Sequence, residues 1–470
     1  MFSLPIDTLL IFAITTPALG WILEKIKKAN LCGIYASIGL GIVIWEILSM
    51  NIPISSGLMF IDQLGIFMAI AFSMLGFLSS IYSIKYMEKD EGVPLFFSLL
   101  LLMISGMIGC VFAGDMFSFF VFWEMMCIAS YTLVAFRREK WEPVEAAFKY
   151  LIMSSAGSAS ILFGMSLLYG MCGTLLFKDL SKILFNVNNI WIYIAAIFIF
   201  IGLGIKTAIF PLHTWLPDAH SAAPSSISAM LSGVVIETGI YAICRIGFNI
   251  FSSIHNQWLE ILAILSILTM LIGNLTPLLQ TDIKRLLAYS SIAHIGYMLA
   301  GISTGNLLGI TGALLHVFNH AIMKGSAFLC SGMILYRLET RDMREISGIG
   351  RRMPLTGAIF SLSLFSLIGV PPLNGFISKL TIIMATIEAN MAWLGIAVII
   401  NSVISAVYYL RTIKAILQPI SSKKVEEAKE GPIIMLIPLI ILAFLIIIFG
   451  IWPDSLINFA MSAANILLRG

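Results

Sequence analysis

Residues 201–224 read IGLGIKTAIFPLHTWLPDAHSAAP, an apolar run that carries Lys206 and is stopped at Pro211, where the ring removes a backbone donor. The same device returns in GVPPLNG at residues 369–375, with Lys379 shortly beyond it. Inside a bilayer, irregular backbone is tolerated only where it is enclosed by protein or lines a water-filled cavity. Two broken helices, each with a lysine beside the break, therefore mark the working axis of a membrane protein.

The rest of the chain fits that setting. Of its 470 residues 59% are hydrophobic and 11% charged, with a mean hydropathy of +0.99, whereas soluble domains are roughly a quarter charged. Apolar runs of about 20 residues, long enough to cross about 30 Å of hydrocarbon, lie near 5–23, 31–50, 63–84, 94–113, 116–136, 145–170 and 190–210. Seven more lie near 222–245, 258–280, 285–303, 307–336, 355–387 (interrupted), 392–416 and 432–451. The expected fold is an all-α polytopic membrane protein of about fourteen transmembrane helices. The first segment lacks a basic n-region and a small-residue cleavage site, so it reads as a retained helix. The six cysteines are scattered without CxxC grouping, which leaves no iron–sulfur or zinc framework in the chain itself.

Basic residues test the helix map, because short cytoplasmic loops hold most of them. With both termini outside, twenty of the 28 Lys and Arg residues fall in inside loops and four (Lys178, Lys182, Arg245 and Arg469) outside. Lys149, Lys206, Lys324 and Lys379 fall within helices. The net charge of +3 assigns no nucleic-acid partner. The expected location is the cell membrane.

The two breaks are roughly 160 residues apart, and helices starting near 94, 116, 145 and 222 have counterparts near 258, 285, 307 and 392. This predicts two five-helix repeats. Five is odd, so the repeats enter from opposite sides, as in many secondary transporters. The organisation expected is residues 1–93 (helices one to three), 94–249 (first repeat), 250–420 (second repeat) and 421–470 (a last helix and tail).

A charge at the bilayer centre costs about 2.5–3.5 kcal/mol. Glu124, Lys206, Glu237, Lys324 and Lys379 together then cost on the order of 10–20 kcal/mol, comparable with the whole stability of a domain. They read as an ion path rather than as glue, since buried ion pairs often only break even against apolar packing. Glu124 sits in FFVFWEMMCIASY; the proton affinity of Lys206 depends on how near a carboxylate comes. His316, His320 and Lys324 are four apart in HVFNHAIMK and share a helix face. Histidine relays protons near neutral pH. HxxxH also suits zinc, but no HExxH glutamate or third ligand is near, so no metal and no cofactor is assigned. His213, Asp218 and His220 follow the first break and take structural or gating roles, and His294 with Tyr289, Ser290 and Ser291 lines a wet passage. Glu46 reads as interfacial, and Asp62, Asp115 and Asp282 as helix caps.

WEMMCIASYTLV, GIKTAIFPLHTWLPDAHSAAPSSISAMLSG, TDIKRLLAYSSIAHIGYM, HVFNHAIMKGSAFLCSG and GVPPLNGFISK closely resemble the blocks of the antiporter-like subunits shared by respiratory complex I, Mrp-type cation/proton antiporters and membrane-bound hydrogenases. The resemblance spans roughly residues 60–420. It implies that Glu124 is the family's fifth-helix glutamate, Lys206 its seventh-helix lysine and Lys379 its twelfth-helix lysine. His316, His320 and Lys324 then fall where two half-channels are joined. Implied partners are other integral membrane subunits, including further antiporter-like ones, and a peripheral redox arm with iron–sulfur clusters. The implied cargo is H⁺, with Na⁺ as an alternative.

One position departs from the pattern: Glu237 stands where relatives place a lysine. Either it relays protons with altered charge balance, or it offers oxygen to a hard cation such as Na⁺. The chain is thus read as a non-catalytic, ion-translocating subunit of an oxidoreductase or antiporter complex. Its compact length leans toward the Mrp or membrane-bound hydrogenase branch. The alternatives are a proton-pumping subunit of a quinone-reducing complex I and a non-conducting structural subunit. A quinone-reactive enzyme is disfavoured by the lack of cysteine clusters, haem-ligand pairs and nucleotide loops.

Overall fold

A computed structural model describes residues 4–25, 28–185, 189–420 and 422–469. The first spans are α1 (Pro5–Lys25) and α2 (Leu31–Ser49), followed by a small hairpin of β1 (Ile54–Ser56) and β2 (Met59–Ile61). Then come α3 (Gln63–Tyr86), α4 (Val93–Phe112), α5 (Met116–Val134), α6 (Trp141–Cys172), the short α7 (Phe177–Leu184) and α8 (Ile190–Thr207). After the first break lie α9 (Trp215–Ala222) and α10 (Ser225–Met230), which continues through one π-helical turn, Leu231–Val235, into α11 (Ile236–Asn249). The second half holds α12 (His255–Leu275), α13 (Ile283–Ser303), α14 (Leu307–Leu338), α15 (Pro354–Ile368), α16 (Asn374–Glu388) and α17 (Ala392–Leu417). It closes with α18 (Lys423–Glu427), α19 (Ile433–Ile451) and α20 (Asp454–Arg469).

Twelve of these helices are long and apolar enough to cross a membrane. The other two expected segments depart for physical reasons. Helix α14 has 32 residues, about 48 Å at 1.5 Å per residue, but His316, Asn319, His320 and Lys324 make it polar. The remaining segment is cut into α15 and α16, each too short alone. The residues after α19 are not a bare tail: α20 folds back, and Phe459 meets Phe67 of α3 at 5.0 Å between ring centroids.

Aspartates open several helices, as their sequence positions predict. Asp62 accepts from Gly65 N, Asp115 from Phe117 N and Ser118 N, and Asp282 from Lys284 N and Arg285 N. Around two of these caps the same local device occurs twice. Met116 N donates to Leu175 O at 3.0 Å and Phe177 N to Gly114 O; further on, Ile283 N donates to Arg341 O at 3.0 Å and Met343 N to Thr281 O. The preceding long helices, α6 and α14, both have 32 residues and end in left-handed residues, Gly173 and Glu339.

Two basic residues are not where loop counting put them. Arg245 is inside α11, 2% exposed, paired with Asp62 at 2.7 Å and donating from Nε to Tyr241. Lys284, also counted in a loop, is buried in the first turn of α13. Loop counting reads proximity to a helix end, whereas burial depends on what packs over that end. Lys149 is exposed near the start of α6, and Lys27 lies outside the described residues.

Removing one member of a buried ion pair costs on the order of 3–5 kcal/mol, because the other charge stays buried alone. Arg245→Met is therefore expected to lower the thermal unfolding midpoint of the detergent-solubilised complex clearly. Adding Asp62→Asn, which keeps the cap on Gly65 but removes the stranded charge, is expected to restore most of it. Equal losses in the single and double variants would contradict the pairing.

Candidate functional site

The first break ends α8 at Ala208, a non-glycine residue held at φ 57. Trp215 of α9 reaches back across the break and donates from its indole to Ile205 O at 2.8 Å, a second donor to a carbonyl that also accepts from Ala208 N at 3.2 Å, which ties α9 to the end of α8. Its ring lies parallel to that of Tyr150 on α6, with centroids 4.0 Å apart. Tyr150 in turn accepts from the ammonium of Lys206, which also reaches Ser130 of α5 at 3.3 Å. Lys206, buried at 2% exposure, is thus held by hydroxyls and not by a carboxylate. Glu124 is only half-buried on α5, where Ser158 of α6 donates to it. The two are not ion-paired among the described residues; the buried Cys127 of α5 is within electrostatic range of both.

The second break is built differently. Gly369 turns the chain at φ 93, and a Cβ there would come within 3.2 Å of the Lys379 side chain. Lys379 Nζ donates to Leu367 O at 2.8 Å and Ile368 O at 3.0 Å, the terminal carbonyls of α15. These carbonyls carry the negative end of the helix dipole, where a cation is favoured. The broken ends are pinned by Asn374, which donates to Asn319 Oδ1 at 3.0 Å and accepts from Ser366 at 2.6 Å.

Between the breaks lies a chain of imidazoles. Ser378, beside Lys379, contacts His316 Nδ1 at 2.8 Å. His316 Nε2 contacts His294 Nδ1 at 2.9 Å, with the rings stacked at 5.1 Å. His294 Nε2 reaches Tyr409 at 3.4 Å, and its ring lies 5.0 Å from that of His320. His316 and His294 each use both nitrogens, so a proton added to one nitrogen is matched by loss from the other, which reverses the donor order along that part of the line; His320 is bonded through Nδ1 alone and meets the line by ring contact. His320 Nδ1 meets Glu237 Oε1 at 2.6 Å, both residues fully buried. Lys324, one turn further along α14, donates to Leu287 O at 2.9 Å and to Ser290.

The seven residues expected on the ion path fall into two regions, and within them only Glu237 and His320 bond to each other directly, the rest being held by hydroxyls, backbone carbonyls or His294. Glu124 and Lys206 form one side; Glu237, His316, His320, Lys324 and Lys379 form the other. Among the described residues no hydrogen bond joins the two regions, but Gly239 of α11 sits against Thr207, next to Lys206, where a Cβ would come within 2.4 Å of the threonine hydroxyl. His294, expected only to support, is in the centre of the line. His213 lies at the first break with its ring 5.7 Å from Phe210 and is not near the other histidines of the line. Asp218 is on the surface, bridging Lys149 at 3.0 Å and Arg285. Tyr150, Ser130, Ser158, Ser378 and Tyr409 complete the site without having been singled out, since their contacts come from distant helices.

Most of the chain, residues 113–405, matches the family model described as NADH:quinone oxidoreductase/Mrp antiporter, TM, and residues 45–97 match that of complex I chain 5 N-terminus. NADH-quinone oxidoreductase subunit N of Desulforudis audaxviator is 33% identical over 85% of this chain and 82% of its own length. F(420)H(2) dehydrogenase subunit N of Methanosarcina mazei is 29% identical over 94% of each chain. Among solved structures, a chain of the membrane-bound sulfane sulfur reductase, an archaeal respiratory membrane complex, superposes with TM-score 0.89 at 30% identity, covering 99% of this chain and 97% of its own. A chain of the Mrp complex from Dietzia sp. has the same fold, with TM-score 0.88 at 22% identity over 99% and 98%. With the fold, the broken helices and the family model in agreement, the chain belongs to the NADH:quinone oxidoreductase/Mrp antiporter membrane family and is an antiporter-like subunit of the kind found in multisubunit membrane complexes.

Proposed function

We propose that the chain translocates protons across the cell membrane within such a complex, with other integral membrane subunits beside it and the driving reaction elsewhere. Driving reactions that suit the relatives are redox chemistry in a peripheral iron–sulfur arm and exchange against another ion gradient. The repeats at residues 94–249 and 250–420 supply one lysine-bearing break each, and the termini lie outside. The observation that carries this reading is the unbroken line Ser378–His316–His294–Tyr409, flanked by the buried amines Lys379 and Lys324. A structural subunit that had lost conduction has no need to keep three adjacent buried imidazoles and four buried lysines.

Charge switching, not bond chemistry, drives the passage. Glu124 biases Lys206 through space, Glu237 and His320 receive the resulting proton or its electrostatic effect, and the histidines pass it toward Lys324 and Lys379. The contact of His320 with Glu237 supports a proton relay over a sodium site, because one carboxylate oxygen is already committed to an imidazole. His213 and Asp218 act as supports at the first break.

Lys206→Ala and Glu124→Ala are expected to abolish pumping by the reconstituted complex while leaving its subunit composition unchanged; normal pumping in either variant would defeat the assignment. Glu237→Gln separates the two cargoes when proton flux and Na⁺-dependent flux are followed independently. The expected result is loss of proton flux alone, by at least about tenfold given the usual contribution of a positioned proton-transfer group. Loss of Na⁺-dependent flux would instead make Glu237 a cation ligand.

A further inference from the structure

His220 on α9 is fully buried and neither ring nitrogen has a hydrogen-bond partner among the described residues, although its ring lies flat on Phe328 with centroids 5.1 Å apart. An imidazole that has lost water without gaining a partner is costly unless it serves something. Two amines, Lys284 and Lys324, lie within electrostatic range of it. Lys284 is 1% exposed and donates to the backbone oxygen of Ala223 at 2.5 Å instead of to a carboxylate. Lys324 rests on Leu287 O, one turn along α13 from Lys284, so both amines line one face of that helix.

Above this buried group the surface is charged. Asp218, two residues from His220, is 24% exposed and pairs with Arg285. Arg341, in the loop after α14, donates to Ser221 O and lies 3.3 Å from Asp282. Beneath this charged rim Lys284, His220 and Lys324 are all buried. Lys206 is not part of this group.

We infer that Lys284 and His220 form a proton-loading branch that charges Lys324 directly from the membrane face bearing Asp218, Arg285 and Arg341. The inference rests on the proposed ion path but adds a second way into it. Lys284, when unprotonated, takes up a proton and passes it to one nitrogen of His220, whose other nitrogen releases a proton to Lys324 when that amine is unprotonated. Each step transfers one proton between nitrogens, with bridging water spanning the gaps. The titratable and charged groups that face this branch are Asp218 on α9, Asp282, Lys284 and Arg285 at the start of α13, His320 and Lys324 on α14, Arg341 after α14 and Arg137 after α5. Lysine suits the outer position because its proton affinity responds strongly to burial, whereas arginine is permanently charged.

The test is the rate of pumping by the whole complex in proteoliposomes as the pH on that face is varied. A loading group sets the proton concentration needed for half-maximal rate; a group further along sets the maximum. His220→Gln and Lys284→Met are each expected to raise the half-saturating proton concentration about tenfold, the low end for a positioned proton-transfer group, with maximal rates within about twofold. Lys379→Ala is expected to abolish the maximum instead. If Lys379→Ala is inactive while both branch variants keep the wild-type half-saturation, the branch is overturned and the main path stands. If Lys379→Ala pumps normally, the path itself fails. Should His220→Gln not assemble, Lys284→Met decides alone, by the same shift or its absence.

Discussion

The ammonium of Lys379 rests on the carbonyl oxygens of Leu367 and Ile368, the last residues of a helix cut short inside the protein. Two costs cancel in that contact. An amine at membrane depth costs about 2.5–3.5 kcal/mol, and the final carbonyls of any helix lack partners within it. Each satisfies the other. The break therefore has to be rigid, which Gly369 and the Asn374–Asn319–Ser366 hydrogen bonds ensure, and it has to sit where the histidine line begins, which Ser378 ensures.

The first break solves the same problem with different groups. Trp215 shares the Ile205 carbonyl with Ala208 N, and the amine of Lys206 turns to the hydroxyls of Tyr150 and Ser130. Hydroxyls can donate as well as accept, so they tolerate both the charged and the neutral amine. Carbonyls only accept and favour the charged form.

Much of this was legible in the sequence. Apolar run length located the spans to within a few residues, and proline and glycine located both breaks, since these follow from local chemistry. The four-residue spacing of His316, His320 and Lys324 placed them on one face. What the sequence hid was pairing across helices. Nothing near Glu237 announces His320, 83 positions away, and nothing near Lys206 announces Tyr150, 56 positions away. Arg245 and Lys284 were misplaced for a related reason: both stand near helix ends, but other segments close over them. The hairpin and α20 escaped because neither is long and apolar.

Glu237 gives the row its own character. An amine at that position would add a positive charge beside His320; the carboxylate lets one proton be shared within a pair of low net charge, at lower electrostatic cost in a buried site. Function then depends on whether protons can cross the interval between Lys206 and Glu237, where the helices touch through Thr207 and Gly239. A density map of the assembled complex that shows ordered water tests this most directly. The expected result is water linking Lys206 to the Glu237–His320 pair and onward along the imidazoles; a dry apolar seal filling that interval would contradict it.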